Sequence, residues 1–246
     1  MSSPQPLIFA HRGASHDAPE NTIAAFSLAR SMGADGVELD TSLTRDGIPV
    51  VIHDLRVDAT TNGSGLVHDF DLKTLRTLDA GSHFSDRFRG EPIPSLDEVF
   101  EAVGPTLCVN VELKAVGWRS DRLERATLKV IQRHNAAKRV IISSFNPITL
   151  RRFRALAPQI PIGYLYSPDE PFILRSRWLM LGLSYDALHP HHKMITQDYM
   201  RRARAAKKQV NTWTVDDPTE MLELCALGVN AIITNRPDVA LRTLRL

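Results

Sequence analysis

Short apolar runs alternate with amphipathic, helix-like segments along most of this chain. Buried parallel strands read as continuous hydrophobic stretches, so these runs predict strands joined by helical crossovers. The predicted strands are Leu7–His11, Gly36–Thr44, Pro49–Asp54, Leu107–Leu113, Val140–Ser144, Ile160–Tyr166, Ala187–His189, Val210–Val215 and Ala231–Thr234. The predicted helices are Asn21–Ser31, Ser95–Val103, Asp121–His134, Pro147–Leu156, an apolar one around Pro171–Leu183, Thr196–Lys208, Pro218–Leu227 and Pro237–Leu244.

Two features interrupt this alternation. Gly36–Thr44 and Pro49–Asp54 are joined by Arg45-Asp46-Gly47, whose Asp-Gly pair is a hairpin signal. The chain from about Leu55 to about Pro94 then loses the rhythm, and its clearest helix is near Asp71–Leu78. We interpret this stretch, residues 55–94, as an insertion after the second strand region, within a single domain that spans residues 1–246.

The number of repeats decides between two α/β architectures. Roughly eight strand–helix repeats in 246 residues predict a (β/α)8 TIM barrel. An open, doubly wound sheet is the alternative, and its dinucleotide-binding form needs a glycine-rich turn that opens a helix. The glycine-rich stretch Asn62–Gly65 is not followed by a helix in that way. The closed barrel is therefore the favoured fold.

Composition narrows the class of protein. A net charge of +2 gives no electrostatic case for nucleic-acid binding. The two cysteines, Cys108 and Cys225, lie in apolar patterns, which argues against a disulfide scaffold or a thiolate metal site. No apolar run approaches the ~18 residues of a transmembrane helix, and no signal peptide is visible. We expect a cytoplasmic protein without stable membrane insertion.

Three carboxylates lie at the ends of predicted strands. Glu38 and Asp40 are two residues apart, so period-2 geometry places them on one face of their strand. Glu112 ends another strand and is followed by Lys114. Converging carboxylates repel each other unless a cation is present, and hard oxygen ligands favour Mg²⁺ or Ca²⁺. The alternative is a set of exposed carboxylates paired with arginine or lysine.

Two histidines, His11 and His53, also end apolar runs. Histidine titrates near neutrality, so such a pair can remove a proton from a nucleophile and give one to a leaving oxygen. Taken singly, each is more often a structural histidine. Arg12 and Lys114 could bind phosphate oxygens, although salt bridges to the nearby carboxylates are the alternative. The combination suggests metal-assisted acid–base cleavage of a phosphodiester.

These segments carry a resemblance to the glycerophosphodiester phosphodiesterase family that runs from end to end. The matching motifs are His11-Arg12-Gly13, Pro19-Glu20-Asn21-Thr22, Glu38-Leu39-Asp40, Asp46-Gly47, His53-Asp54, Thr60-Thr61-Asn62-Gly63, Ile93-Pro94-Ser95-Leu96, Glu112-Leu113-Lys114, Ser144-Phe145, Trp213-Thr214-Val215 and Gly228-Val229. The resemblance implies a barrel with a small insertion and a metal-dependent hydrolase. It departs at Asn235, where the family usually has Asp, and at Ala59, where an Arg is common.

The resemblance also implies a role for each site residue. Glu38, Asp40 and Glu112 would bind the metal, and His11 and His53 would be the acid–base pair. Arg12 and Lys114 would hold phosphate. Glu20 would be a further site residue, and Trp213 would wall the pocket and pack on the substrate.

The implied reaction converts deacylated phospholipids, of the glycerophosphocholine or glycerophosphoethanolamine type, to glycerol 3-phosphate and an alcohol. The rivals are a lysophospholipase D, a phospholipase C-like enzyme and a catalytically silent barrel that binds phosphate esters. A long apolar groove at the pocket mouth would favour an acyl-chain substrate.

Three other segments have simpler interpretations. His189 is a candidate for pocket lining, whereas His191 and His192 are expected in an exposed loop. The apolar stretch Phe172–Leu183 predicts core packing, with a homodimer interface or a weak membrane contact as the second interpretation. The basic residues of Arg201–Lys208 are expected on a solvated helix face.

Overall fold

The computed structural model describes residues 5–114, 122–169 and 182–245. Its strands are β1 Leu7–His11, β2 Gly36–Leu43, β3 Pro49–Val51, β4 Cys108–Leu113, β5 Val140–Ser144, β6 Ile162–Tyr166, β7 Ala187–Pro190, β8 Gln209–Thr212 and β9 Ala231–Thr234. The strands pair in the order β1-β9-β8-β7-β6-β5-β4-β2, and a parallel β1–β2 pairing closes the ring. The sheet is thus a closed barrel of eight parallel strands, which confirms the predicted fold.

The helices of the described residues lie between these strands. They are α1 Ile23–Met32, α2 Leu72–Leu75, α3 Leu96–Val103, α4 Arg122–Arg133, α5 Pro147–Leu156, α6 Gln197–Ala205, α7 Pro218–Leu227 and α8 Pro237–Leu244. Capping signals in the sequence account for the ends of several helices. Ser95 and Glu98 form a reciprocal capping box, and Gly33 ends α1 in the left-handed conformation that glycine adopts without strain.

The predicted hairpin and insertion are both present. Strand β3 runs antiparallel to β2, with Leu43 opposite Pro49. The insertion then leaves the barrel directly after His53, with α2 and three short 3₁₀ turns as its regular elements. It has a small apolar core, formed with β3, of Val50, Ile52, Val57, Val67, Leu75, Ala80 and Ile93. Of the expected helix Asp71–Leu78, only Leu72–Leu75 is helical as α2, and Leu75 packs into this core.

Two predicted elements differ from the structure or lie outside the described residues. The apolar helix around Pro171–Leu183 lies outside the described residues except at its last two positions. Strand β8 ends at Thr212 rather than Val215, and Trp213 follows it. Both cysteines are free, and none of the helices described is long and apolar enough to cross a membrane.

The strand register positions the site. Alternate side chains of each strand pack outward against the helices, as Val37 and Leu39 do in the main apolar cluster. The intervening side chains point into the barrel. The register pairs His11 with Glu38 and Asp40 with Glu112. The carboxyl ends of β1, β2 and β4 therefore bring ionisable groups to one end of the barrel.

Candidate active site

The carboxylates of Glu38, Asp40 and Glu112 form one cluster. An oxygen of each lies within 4.8 Å of an oxygen of the other two. All three side chains belong to buried residues, with 5%, 1% and 7% of their surface exposed. Three buried hard-oxygen donors in one cluster fit a divalent cation, and do not fit the alternative of exposed surface carboxylates.

Two cations lie against this cluster. Lys114 places its Nζ 2.7 Å from Glu112 Oε1 and 3.1 Å from Asp40 Oδ1. The Arg12 Nε lies 3.3 Å from Asp40 Oδ2, and its Nη1 donates to Glu20 Oε1 at 2.9 Å. The salt-bridge interpretation of these residues therefore holds. A role in binding phosphate is compatible with it, because both side chains also face the pocket.

The cluster is electrostatically strained despite these cations. Burial, together with the neighbouring carboxylates, raises the pKa of Glu38 well above its usual value. Burial, opposed by Lys114 and reinforced by Asp40, raises the pKa of Glu112 to about 7. Burial also acts to raise the pKa of Asp40, but Lys114 and Arg12 outweigh it and hold this pKa below its usual range. A bound cation would remove the need for protons on the other two groups.

His11 lies beside the carboxylates at the end of β1. Its Nδ1 is 2.7 Å from Asn235 Oδ1, and its Nε2 is 3.9 Å from Glu38 Oε2. Burial, with the charge of Arg12, lowers the pKa of His11 to about 4. The imidazole is therefore neutral at physiological pH and can accept a proton.

His53 reaches the same pocket from the segment after β3. Its Nδ1 is 2.8 Å from Asp54 Oδ1. Because a carboxylate accepts and does not donate, this contact places a hydrogen on Nδ1 of His53. Each histidine thus has its Nδ1 occupied by an oxygen partner, which leaves Nε2 for chemistry.

These groups surround a pocket of about 250 Å³ at the carboxyl ends of the strands. One side, called the charged side below, consists of His11, Arg12, Glu38, His53, Glu112 and Lys114. The other, called the apolar side, consists of Phe145, Leu165, Trp213 and Ile233. A larger cavity of about 760 Å³ at the opposite end of the barrel contains none of the predicted site residues.

Comparison with known proteins agrees with this site. Residues 11–239 match the Glycerophosphoryl diester phosphodiesterase family. A glycerophosphodiester phosphodiesterase of Caldanaerobacter subterraneus subsp. tengcongensis is 42% identical over 241 residues, which cover 97% of this chain and 98% of that protein. A phosphodiesterase of Oleispira antarctica, solved with the product sn-glycerol-3-phosphate, has a TM-score of 0.89 at 32% identity, with 98% of both chains covered. The chain belongs to the glycerophosphoryl diester phosphodiesterase family.

A second solved structure, a glycerophosphodiester phosphodiesterase of Agrobacterium tumefaciens, has a TM-score of 0.81 at 28% identity and covers 96% of this chain. A family relative from Bacillus altitudinis is 34% identical over 96% of both chains. These likenesses extend over the insertion as well as the barrel, so the whole described architecture is that of the family.

Trp213 lies where the family resemblance implies, in the pocket wall. Its Nε1 donates to the backbone oxygen of His189 at 2.8 Å. Its ring meets Phe145 edge to face, with centroids 5.6 Å apart, and packs against His191 at 5.4 Å. These contacts restrict the indole, which presents an aromatic surface to the pocket.

Four other residues do not lie where the sequence predicted them. His189 does not line this pocket: it is fully buried, and its Nε2 accepts from Asn211 Nδ2 at 3.0 Å. Glu20 reaches the site through Arg12 rather than through the pocket lining. His191 and His192 are half-buried instead of exposed, because His191 packs on Trp213 and His192 pairs with Glu220 at 3.2 Å.

Three asparagines complete the site: Asn21 belongs to a motif of the family resemblance, Asn235 is one of the departures from it, and Asn110 was not predicted. Asn21 donates to Asp40 Oδ2 at 3.0 Å, and Asn235 contacts His11. Asn110 lines the pocket, is 2% exposed, and has no hydrogen-bond partner for either amide atom among the described residues. Its position two residues before Glu112, on the same face of β4, was a signal that could have identified it.

Proposed function

We propose that this protein hydrolyses glycerophosphodiesters to sn-glycerol 3-phosphate and an alcohol, with a divalent cation and the pair His11 and His53. Its family makes it an enzyme, a phosphoric diester hydrolase. The observation that carries the finer proposal is a pocket lined by both histidines and by Glu38 and Glu112, whose carboxylates cluster with that of the buried Asp40. The complex of the Oleispira antarctica relative with sn-glycerol-3-phosphate supports the product.

Glu38, Asp40 and Glu112 would hold the cation, which is Mg²⁺ or Ca²⁺ on the chemistry of the donors. When bound, a cation of this kind offsets negative charge on a phosphate and acidifies an attacking hydroxyl. Arg12 and Lys114 border the same carboxylates and would hold non-bridging phosphate oxygens. Asn110 offers an amide donor and acceptor within the pocket.

The two histidines would divide the proton transfers. His11 is neutral at physiological pH and would accept the proton of the nucleophile at Nε2. His53 would protonate the leaving oxygen. Its Nδ1 donates to Asp54 in either protonation state, so the ring keeps one orientation before and after the transfer.

We propose further that the substrate's glycerol hydroxyl attacks first and that water opens the resulting cyclic glycerol phosphate with the histidine roles reversed. An attack within one molecule gains from proximity, with effective molarities of about 10⁵ M or more. No serine or cysteine stands beside His11 or His53 in a nucleophile motif. A substrate whose 2-hydroxyl is replaced by hydrogen tests this order: near-normal turnover of that analogue would show that water attacks first.

A second substrate class has one structural observation in its favour. A cleft of about 400 Å³ adjoins the pocket at Lys114 and is lined in part by the insertion. Its apolar residues are Leu43, Leu55, Val67 and Leu123. Such a cleft could take an acyl chain, as a lysophospholipase D requires.

A substrate panel separates the two classes. Glycerophosphocholine and glycerophosphoethanolamine are compared with lysophosphatidylcholine, and choline and glycerol 3-phosphate are quantified. We expect the deacylated diesters to give the higher kcat/KM and equal yields of alcohol and glycerol 3-phosphate. A preference for the lysophospholipid would identify the protein as a lysophospholipase D. Inactivity on the whole panel would support the catalytically silent barrel.

A further inference from the structure

The side chain of Asn235, which directly follows β9, links His11 to an acidic residue outside the pocket. Its Oδ1 is 2.7 Å from His11 Nδ1 and accepts from Ser15 Oγ at 2.9 Å. Its Nδ2 donates to Asp216 Oδ2 at 2.7 Å. Asp216 Oδ1 also accepts from the Asn235 backbone N–H at 2.8 Å and from Thr234 Oγ1 at 2.9 Å.

These contacts determine which way the amide of Asn235 faces. A carboxylate offers acceptors only, so the NH₂ group of Asn235 must point to Asp216. The carbonyl oxygen must then point to His11, and an oxygen acceptor requires a hydrogen on Nδ1 of that ring. The lone pair is left on Nε2, the atom that faces Glu38.

We propose that Asp216 is a positioning residue for catalysis, which acts through Asn235 to hold His11 in the Nδ1–H tautomer. This inference rests on the proposed proton transfer at His11 Nε2. Asp216 itself does not line the pocket and touches none of its reacting groups. The carboxylate of Asp216 thus acts on the His11 ring through the Asn235 amide, which lies between the two groups.

The substitution Asp216→Asn gives a specific expectation. Asn at this position can still accept from Thr234 and from the backbone of Asn235, but it turns an NH₂ group toward the NH₂ group of Asn235. Two donors cannot share the 2.7 Å contact, so the Asn235 amide should flip. The flip presents a donor to His11 Nδ1, which favours the Nε2–H tautomer and blocks the proposed base.

The chain offers a rescue variant and a matched control. Adding Asn235→Asp to Asp216→Asn exchanges amide and carboxylate, which restores an acceptor toward His11 and keeps every hydrogen bond of the pair. Asp217→Asn removes a charge at the next position, where the exposed Asp217 caps α7 and Asn is an equally good cap. A purely structural role of Asp216 does not predict that Asp216→Asn changes the tautomer of His11.

The experiment combines kinetics with ¹⁵N NMR of histidine-labelled protein, the His11 signals being assigned by their loss in His11→Gln. We expect wild type, Asp217→Asn and the exchanged double variant to show a protonated Nδ1 and a bare Nε2 at neutral pH. Asp216→Asn should show the reverse and lose about 10²-fold or more of kcat, as a wrong histidine tautomer does in a catalytic triad. The double variant should recover most of that loss.

Two results would overturn the inference. A bare Nδ1 on wild-type His11 would do so without any variant, even if Asp216→Asn failed to fold. An unchanged tautomer and a kcat within a few-fold of wild type in Asp216→Asn would do so as well. A tautomer that switches as expected while kcat stays unchanged would instead contradict the catalytic role of His11, which is the proposed function and not the positioning.

Discussion

The charged side and the apolar side of the pocket come from different arcs of the same barrel. Strands β1, β2 and β4, with the segment after β3, supply the charged side, whereas β5, β6, β8 and β9 lead to the apolar one. Buried charges are costly unless they are paired, so the charged side is a connected network in which Lys114 and Arg12 each contact two carboxylates. The apolar side needs no such network. Reaction chemistry and substrate preference should therefore respond to different substitutions.

The largest effect should follow from a change in the carboxylate cluster. Asp40→Asn or Glu112→Gln should lower cation affinity and reduce kcat by about 10³-fold or more, because metal assistance supplies several kcal/mol of transition-state stabilisation. Cation content and steady-state kinetics measure both effects. Glu101→Gln, an exposed acid on α3, is the matched control and should leave both unchanged. If Asp40→Asn bound the cation with wild-type affinity, Asp40 would not be one of its ligands.

The histidines should give the next largest effect. His11→Ala and His53→Ala should each lower kcat by roughly 10²–10⁴-fold, as expected for the loss of a general acid or base. Circular dichroism and the thermal midpoint should change little, since both side chains border an open pocket. His83→Ala, an exposed histidine in the insertion, controls for the substitution itself. A variant with nearly wild-type turnover would remove that histidine from the pair.

The apolar side should affect binding more than turnover. Trp213→Leu removes an indole that packs on Phe145 and His191, and aromatic contacts of this kind contribute about 0.5–1.5 kcal/mol beyond their area. We expect KM to rise by about 3- to 10-fold with a smaller change in kcat, measured on the preferred glycerophosphodiester. A loss confined to kcat would mean that Trp213 acts in turnover, as the charged side does, and would contradict the division between the two sides.

The smallest effect should come from the insertion. Leu55 is 42% exposed and lines the cleft beside Lys114. Leu55→Ser should change the ratio of kcat/KM between lysophosphatidylcholine and glycerophosphocholine by a few-fold, and cation affinity should stay at the wild-type value. Leu222→Ser, an exposed leucine on α7, is the control. Equal effects of the two substitutions on that ratio would argue against substrate selection by the insertion.

Local sequence patterns predicted the parts of this site that depend on neighbours in the chain. The period-2 spacing of Glu38 and Asp40 predicted that both lie on one face of β2, and this face points into the barrel. The runs before His11 and His53 predicted both at strand ends: His11 ends β1, whereas β3 already ends at Val51 and His53 lies beyond it. Helices α5, α7 and α8 begin and end where the pattern put them, since proline at the first helical turn marks each start.

Long-range contacts explain what the sequence alone could not provide. His11 and Asn235 are 224 positions apart, and only closure of the barrel brings them together. His189 lies near the end of β7, yet it is fully buried and hydrogen-bonded to Asn211. Gly163 on β6 leaves room for its ring, since a Cβ at that position would clash with the imidazole. The pattern located the strands, but which side chains near a strand end face the pocket depends on the packing between strands.

The claim that the charged side holds one divalent cation is tested most directly by calorimetric titration of EDTA-treated protein with Mg²⁺ and Ca²⁺. We predict one cation per chain, and recovery of glycerophosphodiester hydrolysis with the same midpoint. Because the pKa of Glu112 is about 7 without metal, binding below that pH must displace a proton, and affinity should be about tenfold or more weaker at pH 6 than at pH 8. Full activity in excess EDTA, with no cation bound at either pH, would contradict the account.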